Sequence, residues 1–308
     1  MFADGDWDSI QVHNRIAGYI VKNGYGYGTA YLAGETIPLL KALNQGDADI
    51  MMEVWTSDYS EQWNQILKNG KVKSLGTNYL AVQGWFVPLY MIEGDAERGI
   101  EPTIPELKKV QDLLHYKEIF KLSATASKAT IYNAPRGWPA ELVNQEKLKH
   151  YHLSDFYELV STDSEHHLLA TFEQAYKRES PWLGYARDPS IVTAGHKIML
   201  LNEDPYSEEQ WELNKACSYP ENEVIIAASS GMNEKAPEVL DFLQKYTTTR
   251  EQNKEMLVYL KENGGDAEQA AQEWLLNNPD IWGSWVPEEI AEKVWAVLNN
   301  VAPAKKGR

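Results

Sequence analysis

Asp49-Ile50-Met51-Met52-Glu53-Val54-Trp55 reads as a β-strand: a short apolar run, too brief for a buried helix, that closes on a tryptophan. Residues on either side change to helical spacing. Upstream, 35–44 tolerates Pro38 in its first turn, and downstream 59–68 forms a second helix. The alternation continues outward. Ser9 is placed to cap a first helix whose stripe is Val12, Ile16 and Ile20 with Tyr19, ending at Asn23-Gly24. Residues 80–91 are extended through Val82, Trp85, Val87 and Leu89, and 104–114, 141–148 and 164–177 are predicted helices. A strand at 223–228 precedes helices at 236–246, 250–262, 267–276 and 288–299. Strands separated by helices predict an α/β fold with a mostly parallel sheet and ligands at the carboxyl ends of strands.

The chain has 308 residues, more than one compact core usually holds, so two lobes are expected. Its 43% hydrophobic and 24% charged residues are those of a folded globular protein. A formal charge of -16, with no Lys/Arg run longer than a pair, argues against a nucleic-acid partner, whose phosphates need a basic patch. The single cysteine, Cys217, excludes a disulfide framework and a cysteine-based zinc site, and its surroundings mark it as a small buried residue. No apolar run approaches the roughly 20 residues of a membrane span. Met1-Phe2 leads at once into Ala3-Asp4-Gly5-Asp6, so no signal peptide is read. That fits either cytoplasmic residence or a mature form, and the immediate strand-to-helix pattern favours the mature form. Lys305-Lys306-Gly307-Arg308 reads as an appended or frayed tail.

Catalytic motifs are missing from this sequence. Gly24-Tyr25-Gly26-Tyr27-Gly28 follows a helix rather than a strand, which makes it a helix end and turn, and neither a P-loop nor a Gly-x-Ser-x-Gly elbow occurs. His166-His167 lacks the i, i+4 spacing of two metal ligands on one helix face, and no metal or cofactor is expected. Glu208-Glu209 and Glu288-Glu289 suit helix starts.

What stands out is aromatic usage: 11 Trp and 17 Tyr against 6 Phe. Indole N–H and phenol O–H groups need partners when buried, so this excess points to surfaces that meet a ligand. Trp7, Trp55, Trp85 and Trp138 sit at strand ends or in Gly/Pro loops. Rigid tryptophans so placed hold quaternary ammonium groups by cation–π attraction. Trp63, Trp274 and Trp295 lie on helix faces and are expected in the core; Trp182 suits either role. Asp6 and Glu53 are candidates to supply negative charge to an amine, Tyr185 to add a wall, and His13 to be structural.

In order along the chain come Asp6-Trp7-Asp8-Ser9 running to His13-Asn14, Glu53-Val54-Trp55, Gln83-Gly84-Trp85-Phe86-Val87-Pro88, Gly137-Trp138, Ala175-Tyr176, Pro181-Trp182 and Cys217-Ser218-Tyr219-Pro220. This series resembles the substrate-binding proteins of ABC importers for glycine betaine, choline and related methylated amines, including trimethylamine N-oxide. The resemblance implies a two-lobed type II periplasmic binding fold with a hinge and an interlobe cleft. It puts residues 1–88 and 221–308 in lobe one and 89–220 in lobe two, with crossings at 86–90 and 219–222. It also implies a monomer that is periplasmic or lipid-anchored outside the cell, delivers an osmoprotectant-like amine to a membrane permease, and is not an enzyme. An enzyme or a sensory ligand-binding domain on the same fold is the alternative.

The resemblance places cage aromatics on Trp55 and Trp138. A third cage tryptophan falls at Arg187, within Tyr185-Ala186-Arg187-Asp188-Pro189. A guanidinium suits a carboxylate, sulfonate or phosphate, so Arg187 is expected to hold an anionic group, or else to point to solvent or pair with Asp188 or Glu141. Pro139 follows Trp138 where the family's loop offers a backbone N–H to the ligand carboxylate, and proline has none. Both departures point to altered specificity.

Overall fold

The computed structural model describes residues 1–301, so the Lys305–Arg308 tail lies outside the described residues. In chain order the elements of the first part are β1 (Phe2–Asp4), α1 (Asp8–Asn23), β2 (Tyr31–Ala33), α2 (Thr36–Gln45), β3 (Ile50–Trp55), α3 (Ser60–Lys68) and β4 (Val72–Pro88). Next are α4 (Tyr90–Glu93), β5 (Ala129–Asn133), α5 (Pro139–His150), β6 (Tyr157–Ser161), α6 (Glu165–Lys177), β7 (Gly184–Asp188), β8 (Ile198–Leu200) and α7 (Glu208–Asn214). The chain ends with β9 (Asn222–Ser229), α8 (Met232–Lys235), α9 (Pro237–Lys245), α10 (Arg250–Glu262), α11 (Ala267–Asn277), α12 (Pro279–Gly283) and α13 (Glu288–Val301). The described residues form two compact units: residues 1–80 with those from 222 onward, and residues 81–221. The first break falls inside β4.

In the first unit β1 pairs in parallel with β2 and β3, while β3 pairs antiparallel with β9. In the second unit β5 runs parallel to β6 and β7, whereas β7 and β8 run antiparallel to β4. The expectation of a mostly parallel sheet is thereby corrected to a mixed one. The strands joined through one helix, β1 to β2 and β5 to β6, pair in parallel, whereas β9 with β3 and β4 with β7 and β8 pair antiparallel across longer stretches of chain.

Val12, Ile16 and Ile20 of α1 are fully buried, each contributing ~1.5–3 kcal/mol by leaving water. That face packs on α10 and α11. Two polar contacts fix the helix to β1: Asn14 Nδ2 donates to the Ala3 carbonyl at 2.9 Å and to Asp4 Oδ1 at 2.8 Å.

The predicted helix over 104–114 is not formed. Ile104, Leu107, Val110 and Leu113 are all buried, a strict spacing of three that suits the 3.0-residue turn of a 3-10 helix, and a 3-10 segment covers Val110–His115. Trp63 and Trp274 lie in the core as expected, but Trp295 is 37% exposed, because the buried face of α13 carries Ile290, Val294 and Leu298 instead. Trp182 is core: it stacks on Tyr132 and meets Phe172 edge-on. Cys217 is buried. Glu208 and Glu288 open α7 and α13. No helix among the described residues is long and apolar enough to cross a membrane.

Candidate ligand-binding site

In the first unit, β3 ends where α1 begins. Glu53 is on β3, its side chain wholly withdrawn from solvent. Its Oε2 accepts three hydrogen bonds: from Trp7 Nε1 at 2.6 Å, from Ser9 Oγ at 3.1 Å and from Trp55 Nε1 at 3.2 Å. Ser9 thus does not cap the helix. Trp7 occupies that position without a capping hydrogen bond, and the Ser9 hydroxyl turns to the carboxylate. Both indoles are pinned by their polar edges, which fixes ring orientation without using the faces.

Gly5 makes room for this arrangement, since a Cβ there would run into the six-membered ring of Trp7. The Trp55 ring meets Tyr79 edge-on at 6.2 Å between centroids. Asp6 is exposed on the turn before Trp7.

His13 lies in the same layer, as a structural residue. Its Nδ1 is 2.7 Å from the Tyr246 hydroxyl, its Nε2 is 2.5 Å from Asn253 Oδ1, and its ring stacks on Tyr79. With Nε2–H donating to Asn253, Nδ1 takes the Tyr246 proton, which is the neutral tautomer. Burial pushes the imidazole below its ordinary 6.5, while Glu53 and Asn253 pull the other way. A group held neutral by folding contributes stability that is complete above pH 6.5 and is lost as pH falls through that value towards the depressed one. We therefore expect the urea midpoint to drop between pH 7 and pH 5, and to drop less in a His13→Gln variant. Equal drops in the two proteins would remove His13 from the acid sensitivity.

In the second unit, Gly137, held at φ +84°, turns the chain so that Trp138 stands at the N-cap of α5. Pro139 takes the first helical position, where its missing N–H leaves no bond unmade. The loop is closed by Gly137 N–H donating to Glu141 Oε2 at 3.0 Å.

Over the half-buried Trp138 ring lies the Arg187 guanidinium, 4.1 Å from the ring centroid. Its Nη2 donates to Glu165 Oε1 at 3.0 Å, with both side chains 6% exposed. Arg187 therefore pairs with Glu165, a partner that its neighbourhood in sequence did not suggest. Glu165 opens α6 behind the Ser164 cap, where the helix dipole favours a carboxylate.

Trp85 and Tyr185 face each other across β4 and β7, both almost fully buried, and the Tyr185 hydroxyl donates to Gln83 Oε1 at 2.5 Å. The structure thus gathers the eight sequence candidates into three groups: Trp7, Glu53 and Trp55, with Asp6 beside them on the surface; Trp138 with Arg187; and Trp85 with Tyr185. Sequence reasoning missed Ser9, Gly5 and Glu165 as parts of these groups. Of these, Ser9 left a trace in the sequence, within Asp6-Trp7-Asp8-Ser9, but as a helix cap rather than a partner of Glu53. Among the described residues no group of three or more His, Cys, Asp or Glu side chains is placed to hold a metal ion.

A family described as "Substrate binding domain of ABC-type glycine betaine transport system" matches residues 1–277. The chain is similar to the glycine betaine/carnitine transport binding protein GbuC of Listeria monocytogenes, at 26% identity over 156 residues. That match takes in 51% of this chain and 48% of GbuC, so it spans about half of that relative. Among solved structures, the glycine betaine/L-proline-binding protein ProX from Borrelia burgdorferi superposes with a TM-score of 0.70 at 18% identity, covering 95% of this chain and 98% of that one. A choline-binding protein of an ABC transporter, in complex with choline, gives 0.69 at 20% identity and 96% of each chain. Lactococcal OpuAC, closed on glycine betaine, gives 0.69 at 19% identity, covering 93% of this chain and 98% of that one. These structural likenesses establish the fold, that of the type II periplasmic binding proteins.

Proposed function

The chain belongs to the family of substrate-binding domains of ABC-type glycine betaine transport systems, and from that premise we propose that it is an extracytoplasmic solute-binding protein that takes up a small quaternary or methylated amine and hands it to a membrane permease. The observation that carries this reading is the pair of tryptophans, Trp7 and Trp55, anchored edge-first on the buried Glu53. Indoles held in this way are rigid, and both are buried, 4% and 3% exposed; a methylated ammonium group, which has no N–H to donate, is recognised by the face of such a ring through cation–π attraction and apolar contact. Glu53 is committed to the indole N–H groups and acts from behind them rather than touching the amine. Asp6, exposed nearby, supplies the outer negative charge.

Trp138 and Arg187 contribute the other end of the ligand's surroundings. Glu165 offsets the positive charge of Arg187, so that the guanidinium lies against an aromatic wall without repelling an ammonium group in its vicinity. Its fork has five N–H donors, which suits the anionic end of a zwitterion as well as Glu165. Arg187 in place of a cage tryptophan favours a ligand whose charged ends differ in placement from those of glycine betaine, with Trp85 and Tyr185 as supporting walls. In this reading residues 1–88 with 221–308 and residues 89–220 act as lobes that close over the ligand, with the hinge at 86–90 and 219–222. The protein works as a monomer, anchored by lipid or free outside the cytoplasmic membrane, and performs no chemistry on what it carries.

A thermal-shift screen against glycine betaine, choline, carnitine, proline betaine, trimethylamine N-oxide, dimethylsulfoniopropionate and unmethylated amino acids tests the reading. A ligand at a thousandfold excess over its Kd stabilises the folded state by ~4 kcal/mol. We expect shifts with the methylated onium compounds and none with the unmethylated amino acids. Shifts confined to unmethylated or purely anionic compounds would overturn the assignment of the tryptophans.

A further inference from the structure

We propose that Glu53 is a positioning residue that makes the Trp7–Trp55 faces selective for a permanent positive charge; the inference rests on the binding role above and deepens it. Glu53 is a wholly buried carboxylate held only by neutral donors, namely two indole N–H groups and one hydroxyl, all on Oε2. Its second oxygen, Oε1, makes no hydrogen bond among the described residues. The nearest basic nitrogen is His13 Nε2 at 3.7 Å, and that imidazole is already engaged by Tyr246 and Asn253. No lysine or arginine among the described residues forms an ion pair with Glu53. A buried charge without a counter-charge is costly, and neutral donors lower that cost only in part.

Two consequences act in the same direction. First, an indole whose N–H is donated to an anion carries more electron density over its rings, which deepens the negative potential that attracts a cation to its face. Second, the carboxylate charge is one hydrogen bond from each ring, in surroundings of low dielectric where its field is weakly screened. A permanent cation resting on either face supplies the counter-charge that Glu53 lacks. A neutral group of the same shape makes the same contacts and gains nothing from the field. Glu53 is therefore expected to separate cations from their neutral isosteres, not merely to hold the rings in place.

The test compares choline with 3,3-dimethyl-1-butanol, in which carbon replaces the ammonium nitrogen and the shape is kept, by isothermal titration calorimetry on the full chain. Wild type is expected to bind choline at least 100-fold more tightly than the alcohol. Glu53→Gln keeps an acceptor for the indoles and removes the charge, and is expected to weaken choline by about 10–30-fold while changing the alcohol by less than about twofold. Equal losses for both compounds would reduce Glu53 to a structural support and overturn the inference. Glu53→Asp, which retains the charge, is expected to keep most of the preference, and it serves if Glu53→Gln does not fold. Equal binding of choline and the alcohol by wild type or by Glu53→Asp would overturn the inference as well. A wild type that binds no methylated amine at all overturns the binding role itself, a result distinct from loss of preference alone.

Discussion

Replacing Arg187 by methionine is expected to cost about 3–5 kcal/mol of stability, because it leaves Glu165, 6% exposed, without its cation. The double variant Arg187→Met/Glu165→Gln should recover most of that loss, since it removes both charges together. Urea unfolding of the three proteins measures the difference, and a loss below about 1 kcal/mol in the single variant would mean that the Glu165 carboxylate is hydrated. The same proteins report on binding. If Trp138 is a cage wall, its ring is covered on one face by the guanidinium at 4.1 Å, and uncovering it changes what it can hold. We expect Arg187→Trp/Glu165→Gln, which restores an aromatic side chain without leaving a charge unpaired, to bind glycine betaine at least tenfold more tightly than wild type. Unchanged or weaker binding of betaine would count against the cage role of this position.

The second large effect is expected at Lys147, on α5. Its Nζ lies 2.6 Å from Glu203 Oε1, donates to the Cys217 carbonyl and stands over the Tyr219 ring at 4.8 Å; the two charged side chains are 1% and 4% exposed. Tyr151 donates its hydroxyl to the same Glu203 oxygen at 2.8 Å. Burial pushes Lys147 down and Glu203 and Tyr151 up from their ordinary values, while the attraction between lysine and glutamate opposes this. Lys147→Met leaves Glu203 buried and uncompensated, again at a cost of about 3–5 kcal/mol. Lys147→Met/Glu203→Gln should restore most of the stability, because well-packed neutral replacements of a buried ion pair are close to neutral in effect. If the double variant is no better than the single one, the loss lies in packing against Tyr219 and Trp211 rather than in charge.

Local signals carried much of the fold. The apolar run at Ile50–Trp55, the stripe on Asp8–Asn23 and the helix Arg250–Glu262 all depend on near neighbours in the chain. The five-residue strands Ala129–Asn133, Tyr157–Ser161 and Gly184–Asp188 were not legible, since each is too short to show alternation clearly. Ile104, Leu107, Val110 and Leu113, three apart, would drift by about half a turn round an α-helix, whereas they share one face at the 3-10 period, so the α-helix expected over 104–114 does not suit them.

For the site, tryptophan at strand ends and glycine turns marks Trp7, Trp55 and Trp138 as candidates, whereas Arg187 is a candidate only through the resemblance to the family. Their pairing was not legible. Trp7 donates to Glu53 across 46 positions of sequence, and Arg187 reaches Glu165 across 22. Sequence alone determined which groups are available and that Glu53 and Trp55 stand on a strand, since propensity and periodicity act over a few residues, but not the strand that carries Tyr185 and Arg187. Only the tertiary structure decided that Glu53 faces inward to two indoles and that Arg187 is balanced by a helix-opening glutamate. The partner of a buried charge is set by which groups lose water together, and that is a property of packing in space.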